Sequence, residues 1–426
     1  MFNLKLSKTM KDIQWSFISL ATASIAHLLL RIVLGRELGP SGLGLYTLVF
    51  TIYMFGMQFA AFGIGAALTK YIAQYHDDQT KIREFVTAGI AGSLVSGTVM
   101  GILLYLFSDT ISIQFFHIPE MTDLLKITAF CFPFIAMQKA VIGTLNGLRL
   151  MKLFAVVNIV QNMSVLVITV VLVLWLNMDV RGAVIGFVLS TSLVGLLSLA
   201  FARDYFTTSP KLVHTVLKEI SWFGFYVVLA NSIGMVIIQI DSLLIGYFMN
   251  ETEVGYYAVA IVFTHGITLL PQAVQRVTTP SIATYYGKRD FKSIRSLIRG
   301  TMIKMLLVAI AIAIILAFFG KTLIGIIFTE EYIPAYAPLL ILLIGYSIYA
   351  SFISVGTCLS SIGKVQIVFR ISALCAILNT LLNIGLIPQF GLVGAASATS
   401  ISLIFTTLIN LYFMRRYIAV LENQTQ

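Results

Sequence analysis

Apolar runs of about 20 residues recur from one end of this chain to the other, separated only by short polar breaks. A helix needs about that length of mostly apolar sequence to cross the hydrocarbon core of a bilayer, so the runs dictate the solvent in which the chain folds. With 58% hydrophobic and 11% charged residues, no stretch is left over for an ordinary water-soluble domain. The runs begin near Ile13, Leu43, Phe85, Leu124, Leu153, Ala183, Ser221, Gly255, Leu297, Ala335, Val365 and Leu392, which predicts an all-α membrane protein of twelve spanning helices. The first run follows Lys5, Lys8 and Lys11 in the manner of a secretory signal. From Ile13 to Leu34 it is long enough to span and has no small-residue cleavage site, so it reads as a helix that is kept.

Basic residues alternate between the breaks. One set holds Lys5, Lys8, Lys11, then Lys70, Lys81, Arg83, then Arg149, Lys152, then Arg203, Lys211, Lys218, then Lys288, Arg289, Lys292, Arg295, Arg299, then Lys364, and last Arg415, Arg416. The other set offers Arg36, Arg181 and Lys321. Basic loops stay in the cytoplasm during insertion, so both termini are expected there, in a multi-pass protein of the cell membrane. The net charge of +10 is then a topology signal with some affinity for anionic lipid, and nucleic acid is not an expected partner.

The chain also repeats itself. "GRELGPSGLGLY" (Gly35–Tyr46) and "GYFMNETEVGYY" (Gly246–Tyr257) share the spacing Gly, nine positions to Gly, two to Tyr, at an offset of 246 − 35 = 211. "IGT" at Ile142 matches "VGT" at Val355, 213 further on, and Gly182 of "DVRGAVIG" matches Gly394 of "GLVGAASA", 212 further on. Three ordered matches at nearly constant offset predict two homologous six-helix halves, 1–210 and 211–426. An even number of spans gives both halves one orientation, the arrangement of a parallel-repeat transporter. Each matched stretch is expected to be the outer turn between the first two helices of its half, with Tyr46 and Tyr257 anchored at the membrane interface.

Polar side chains inside the spans are the candidates for function, because a cleft between halves gives them something to contact besides lipid. In the eighth run His265, Gln272, Arg276 and Thr279 fall at intervals of seven, four and three, on one helix face. In the first, Ser24, His27 and Arg31 do the same. The seventh run adds Asn231, Gln239, Asp241 and Ser242, and the eleventh Arg370, Asn379 and Asn383. Lys126, Lys139 and Arg370 lie within about two turns of a helix end, where a long cation can also snorkel to the headgroups. A charge at mid-bilayer costs roughly 2.5–3.5 kcal/mol on insertion scales, so cations at depth are expected to face a cleft. A cation-lined cleft suits an anionic substrate. Cys131, Cys358 and Cys375 are unpaired in spacing and read as small core residues, and no metal-ligand or phosphate-loop motif occurs.

The segments "LGRELGPSGLGLYTLV" from Leu34, "QIDSLLIGYFMNETEVGYYAVA" from Gln239, "LPQAVQRVTTPSIATYYGKRD" from Leu270 and "LNTLLNIGLIPQFGLVGAASATS" from Leu378 resemble the polysaccharide biosynthesis proteins that flip lipid-linked oligosaccharides. That family shares a superfamily with the lipid II flippase and the multidrug and toxic compound exporters. The resemblance covers almost the whole chain and implies two six-helix lobes around a cationic central cavity. It implies a transporter rather than an enzyme, one that moves a polyprenyl-phosphate-linked sugar of O-antigen type from the inner to the outer leaflet by alternating access. It implies no cofactor, with glycan-assembly enzymes as neighbours. Its substrate-binding candidates here are His27, Arg31, Asp241, His265, Gln272 and Arg276, with Lys126, Lys139 and Arg370 second.

Two other functions are distinguishable. A cation-coupled drug exporter of the same superfamily is expected to bury an acid in an early helix, and the first six runs hold none once Asp12 is placed at an end. A membrane glycosyltransferase or polymerase needs carboxylates on a substantial outer loop, whereas Glu251, Glu253, Glu330 and Glu331 lie on short turns.

Overall fold

The computed structural model describes residues 8–206 and 210–423. Among these the regular structure is helical throughout, and the chain divides into two compact units, Met1–Ser232 and Ile233–Gln426. The first contains α1 (Lys8–Ala61), α2 (Ile64–Gln74), α3 (Gln79–Asp109), α4 (Met121–Ala129), α5 (Phe132–Gly147), α6 (Met151–Val170) and α7 (Asp179–Ser198). Helix α8 (Pro210–Phe248) runs from the first unit into the second, which continues with α9 (Glu251–Gly287), α10 (Phe291–Ile327), α11 (Tyr336–Ile353), α12 (Cys358–Ser361) and α13 (Val365–Asn423).

Ten stretches of the described residues are long and apolar enough to cross a membrane, counting the bent pair α4 and α5 as one. Two of the ten are double. Helix α1 breaks at Gly39, whose φ of 66° suits a residue without Cβ, and Pro40 restarts the helix behind it. Arg31 and Tyr46 on either side interact electrostatically, although a straight helix would hold them about 22 Å apart. The two limbs therefore fold back on each other. Helix α13 breaks likewise at Gly391 (φ 55°), and Asn383 and Thr399 on its two limbs bond one and the same carboxylate. Ten plus two gives the twelve spans that the apolar runs predict.

Both repeated stretches hold a chain reversal, but they turn by different means. The second has no glycine at its corner. There Asn250 is extended and its Oδ1 accepts the Glu253 N–H at 3.0 Å, capping α9. The tyrosines are also not interface anchors. Tyr46 and Tyr257 are 6% and 1% exposed, because each hydroxyl finds an ionic partner inside its own unit that competes with the headgroups.

Small residues bring the helices of the first unit together. A Cβ on Gly143 of α5 would strike the Gly65 carbonyl oxygen of α2. The same crossing is tied by Thr69 Oγ1, which donates to Gly65 O at 2.9 Å and to Gly143 O at 3.0 Å. Around it packs a cluster including Leu68, Ile72, Ile82, Phe85 and Val141. The second unit has a corresponding core of Ile282, Ile294, Val355, Leu359 and Met414. The three cysteines are free and buried, as expected of small core residues. Outside the spans Asp290 caps α10: the Ser293 hydroxyl and backbone N–H both bond its carboxyl and hold it below the usual carboxylate range.

Candidate functional site

In the second unit, four helix limbs converge on Asp241. The carboxylate lies on α8, one side chain deep in a span, and is 5% exposed. Tyr257 of α9 donates to its Oδ2 at 2.9 Å and Thr399 of the second limb of α13 to the same oxygen at 2.5 Å. Asn383 of the first limb donates Nδ2 to Oδ1 at 2.8 Å and to the Asn379 carbonyl at 3.0 Å, and the Asn379 side chain is a further donor. Neutral donors alone thus hold a buried acid, with no lysine or arginine among its bonded partners.

The cluster has an excess of acceptors. The Asn379 and Asn383 Oδ1 atoms are buried and receive no hydrogen bond within the described residues. Buried acceptors cost free energy when unmet, and both sit on side chains already directed at a carboxylate. A hard monovalent cation can draw on carboxylate, amide and hydroxyl oxygens together, whereas a proton on the carboxyl supplies one donor, enough for one of the two amide oxygens. Soft or transition-metal chemistry has no support, since the described residues contain no group of three His, Cys, Asp or Glu able to hold a metal.

The first unit carries the complementary charge. Arg31, on the first limb of α1, is half-buried and faces Tyr46 on the second. One turn earlier His27 has Arg31 and Asn162 of α6 as polar neighbours, and it is exposed. The correspondence with the other unit is close: Asp241 follows Arg31 by 210 residues and Tyr257 follows Tyr46 by 211. Each half therefore sets an ion on its first limb against a tyrosine on its second, basic in one half and acidic in the other. Within the same unit a neutral chain runs from Gln138, which donates to Gln161, to Thr191, which accepts from Gln161, each at 3.1 Å.

The remaining sequence-derived candidates divide. His265, Gln272 and Arg276 are all exposed on α9, on a face that its own unit leaves uncovered. Gln272 Nε2 reaches Thr268 Oγ1 at 3.4 Å, while Thr279, at the end of the same stripe, is turned inward to Thr357 at 2.7 Å. Lys139 on α5 is half-buried with no hydrogen-bond or ion-pair partner among the described residues. Lys126 sits on α4, beyond the bend from Lys139, and is paired with Asp109 at 3.3 Å. Arg370 is exposed on α13. Composition and spacing did not point to Thr399, Tyr257 or Asn162 as polar partners. The signal available was the repeat, which sets Tyr257 opposite Asp241 as soon as the first turn is treated as a hairpin.

Two hairpin-built helical units with ionic side chains inside apolar spans define a polytopic membrane transporter. The chain belongs to the polysaccharide biosynthesis protein family, whose family model matches residues 9–286. The MatE family model matches residues 227–384, which include Asp241, Asn379 and Asn383. Among curated relatives, the Shigella flexneri protein named "Putative O-antigen transporter" is 23% identical over 399 residues, spanning 92% of this chain and 94% of the relative. Among solved structures, an inward-facing multidrug resistance MATE family transporter of the MOP superfamily superposes with a TM-score of 0.76 at 16% identity, covering 96% of this chain and 99% of that one. The lipid II flippase MurJ, in an inward closed conformation, gives 0.75 at 17%, covering 96% and 90%. At these identities the two structures show a shared fold.

Proposed function

We propose that the chain is a flippase that carries a lipid-linked oligosaccharide from the inner to the outer leaflet of the cell membrane during surface polysaccharide assembly. The observation that carries this reading is the pairing of a polysaccharide-biosynthesis match over residues 9–286 with intramembrane cations on helix faces uncovered within their own units. A sugar headgroup and its phosphates do not cross hydrocarbon unaided. In this reading the polar helix faces supply water, hydrogen bonds and positive charge, while the polyprenyl tail stays in the bilayer. Arg31 and Arg276 attract phosphate, His27, His265 and Gln272 meet sugar hydroxyls, and Lys139 offers a further unpaired cation. No bond is made or broken. Glycan-assembly enzymes supply and consume the substrate, and both termini lie in the cytoplasm.

The Asp241 cluster gives this transporter its energy input. A bound cation satisfies the two orphaned amide oxygens and draws the α8, α9 and α13 limbs together, and its release loosens them. Since the MatE match covers most of that cluster, cation-coupled drug export is the second reading.

Reconstituted vesicles separate the two. A fluorescent polyprenyl-diphosphate saccharide on the inner leaflet should become accessible to an external quencher in the presence of the wild-type chain, and Arg276→Ala should abolish this while the protein still accumulates in the membrane. Arg276→Lys should retain part of the activity, because a point cation still attracts phosphate. Efflux of cationic drugs with no movement of the saccharide would overturn the flippase reading in favour of export.

A further inference from the structure

Within the second unit, the start of α10 and the end of α13 enclose a groove of about 740 Å³. Along α10 it is lined by Arg295, Arg299, Met302, Ile303 and Leu306, and along α13 by Arg415, two turns inward of Glu422. The α10 positions follow intervals of three and four, so charge and apolar surface share one helix face. From Arg295 to Leu306 that face runs about 16 Å into the span. On its α10 wall the groove therefore runs from charge near the helix start to apolar surface further in, with Arg415 facing it from α13.

Its charges are also in unequal states. Arg295 Nη2 donates to Glu422 Oε2 at 2.7 Å, which joins the two helix ends. Arg299, one turn further along α10, and Arg415, two turns before Glu422, are exposed and have no carboxylate partner among the described residues. A guanidinium presents a planar fork of donors that fits phosphate oxygens. Two such forks, Arg299 on α10 and Arg415 on α13, line the same apolar channel, with a third arginine already neutralised beside Arg299.

We propose that this groove is a binding site for an anionic diacyl phospholipid of the surrounding leaflet, with its phosphate at Arg299 and Arg415 and an acyl chain along Met302, Ile303 and Leu306. A soluble anion uses the mouth but not the apolar depth, and a zwitterionic lipid uses the depth but gains little from two unpaired cations. Basic pockets between spanning helices favour anionic headgroups for this reason. The occupant bridges α10 to α13 next to the Arg295–Glu422 pair, so it adds a lipid-dependent clasp to the second unit. The site is distinct from the residues assigned to the transported substrate and does not depend on which substrate that is.

Native mass spectrometry of the full-length detergent-solubilised protein, titrated with dioleoyl phosphatidylglycerol or dioleoyl phosphatidylcholine, tests this directly. The wild type should retain phosphatidylglycerol in preference, and Arg299→Gln with Arg415→Gln should weaken retention roughly thirtyfold. Lys288→Gln with Lys292→Gln, which removes two exposed charges at the same helix start, should leave it unchanged within about twofold. Ile303→Trp, filling the apolar end, should displace the lipid with every arginine intact. Equal retention of the two lipids by the wild type, undiminished phosphatidylglycerol binding in the arginine double variant, displacement by inorganic phosphate, or preferential capture of polyprenyl phosphate would each overturn the assignment.

Discussion

At Asp241 a single carboxylate gathers residues from three helices, and the residues nearest it decide what it can bind. Tyr257, Thr399 and Asn383 all donate to it, no lysine or arginine among the described residues is bonded to it, and the oxygens of Asn379 and Asn383 are buried and unmet. Asp241→Asn keeps size and most hydrogen bonding but removes the charge a cation needs. Transport should fall by roughly a hundredfold or more, as expected when the charge in a buried ion-binding cluster is lost, with normal accumulation in the membrane. Thr399→Val deletes one donor and one oxygen ligand and should weaken dependence on the driving cation while leaving measurable transport. The assay is saccharide flipping under an imposed sodium gradient, a potassium gradient or a pH gradient. Indifference of the Asp241→Asn rate to all three, at wild-type magnitude, would remove the coupling role. Asp241 was readable from the sequence as an ionisable residue in a span, and Asn379 and Asn383 as polar ones. That they meet was not, because Asn383 lies 142 positions from Asp241 and only the fold-back at Gly391 brings Thr399 to the same carboxylate.

Helices were the easiest level to read and their corners the hardest. Apolar length fixes where a span must lie, whereas the manner of turning depends on local backbone geometry that hydropathy does not record. Gly39 and Gly391 permit reversals within what are otherwise unbroken helical stretches, while Asn250 achieves the equivalent reversal by capping. The wide turns at Thr110–Phe115 and Val171–Trp175, where helices α3 and α6 end with looser winding, carry no distinctive residue pattern at all. Close helix approach is more predictable in hindsight, since it needs small residues. Gly143→Val would force α5 away from the Gly65 carbonyl and break the bond from Thr69 to the Gly143 carbonyl. That overpacking should lower the stability of the first unit by about 1–3 kcal/mol, seen as a reduced thermal midpoint in detergent. By contrast Asp12→Asn, which removes the ion-pair partner of the largely exposed Arg149 at 3.2 Å, should shift that midpoint little. If the two substitutions had equal effects, the α2–α5 crossing would not be the tight contact that its geometry describes.

For the whole molecule the decisive quantity is which end of each span faces the cytoplasm, because a flippase has a direction. The breaks near Asp78, Arg149 and Arg289, and the C-terminal end with Arg415 and Arg416, carry the basic residues, whereas those at Gly39, Asn177, Asn250 and Gly391 carry few. With twelve spans these two sets must lie on opposite sides. The positive-inside bias leads us to propose that the basic set is cytoplasmic. Reporter fusions after Asp78, Ser209 and Arg289 should accordingly be cytoplasmic, and fusions after Asp109, Glu251 and Glu331 external. That proposed orientation would put the Arg299 and Arg415 groove in the cytoplasmic leaflet, where anionic lipid is concentrated, and Arg31 and Asp241 toward the outer half of their spans. A substrate loaded from the inside would then meet Arg276 early and Arg31 late, and the ion that binds Asp241 would arrive from outside. Reversal of the fusion pattern would invert all three placements together. A mixed pattern, with basic breaks on both sides, would contradict the count of twelve spans itself.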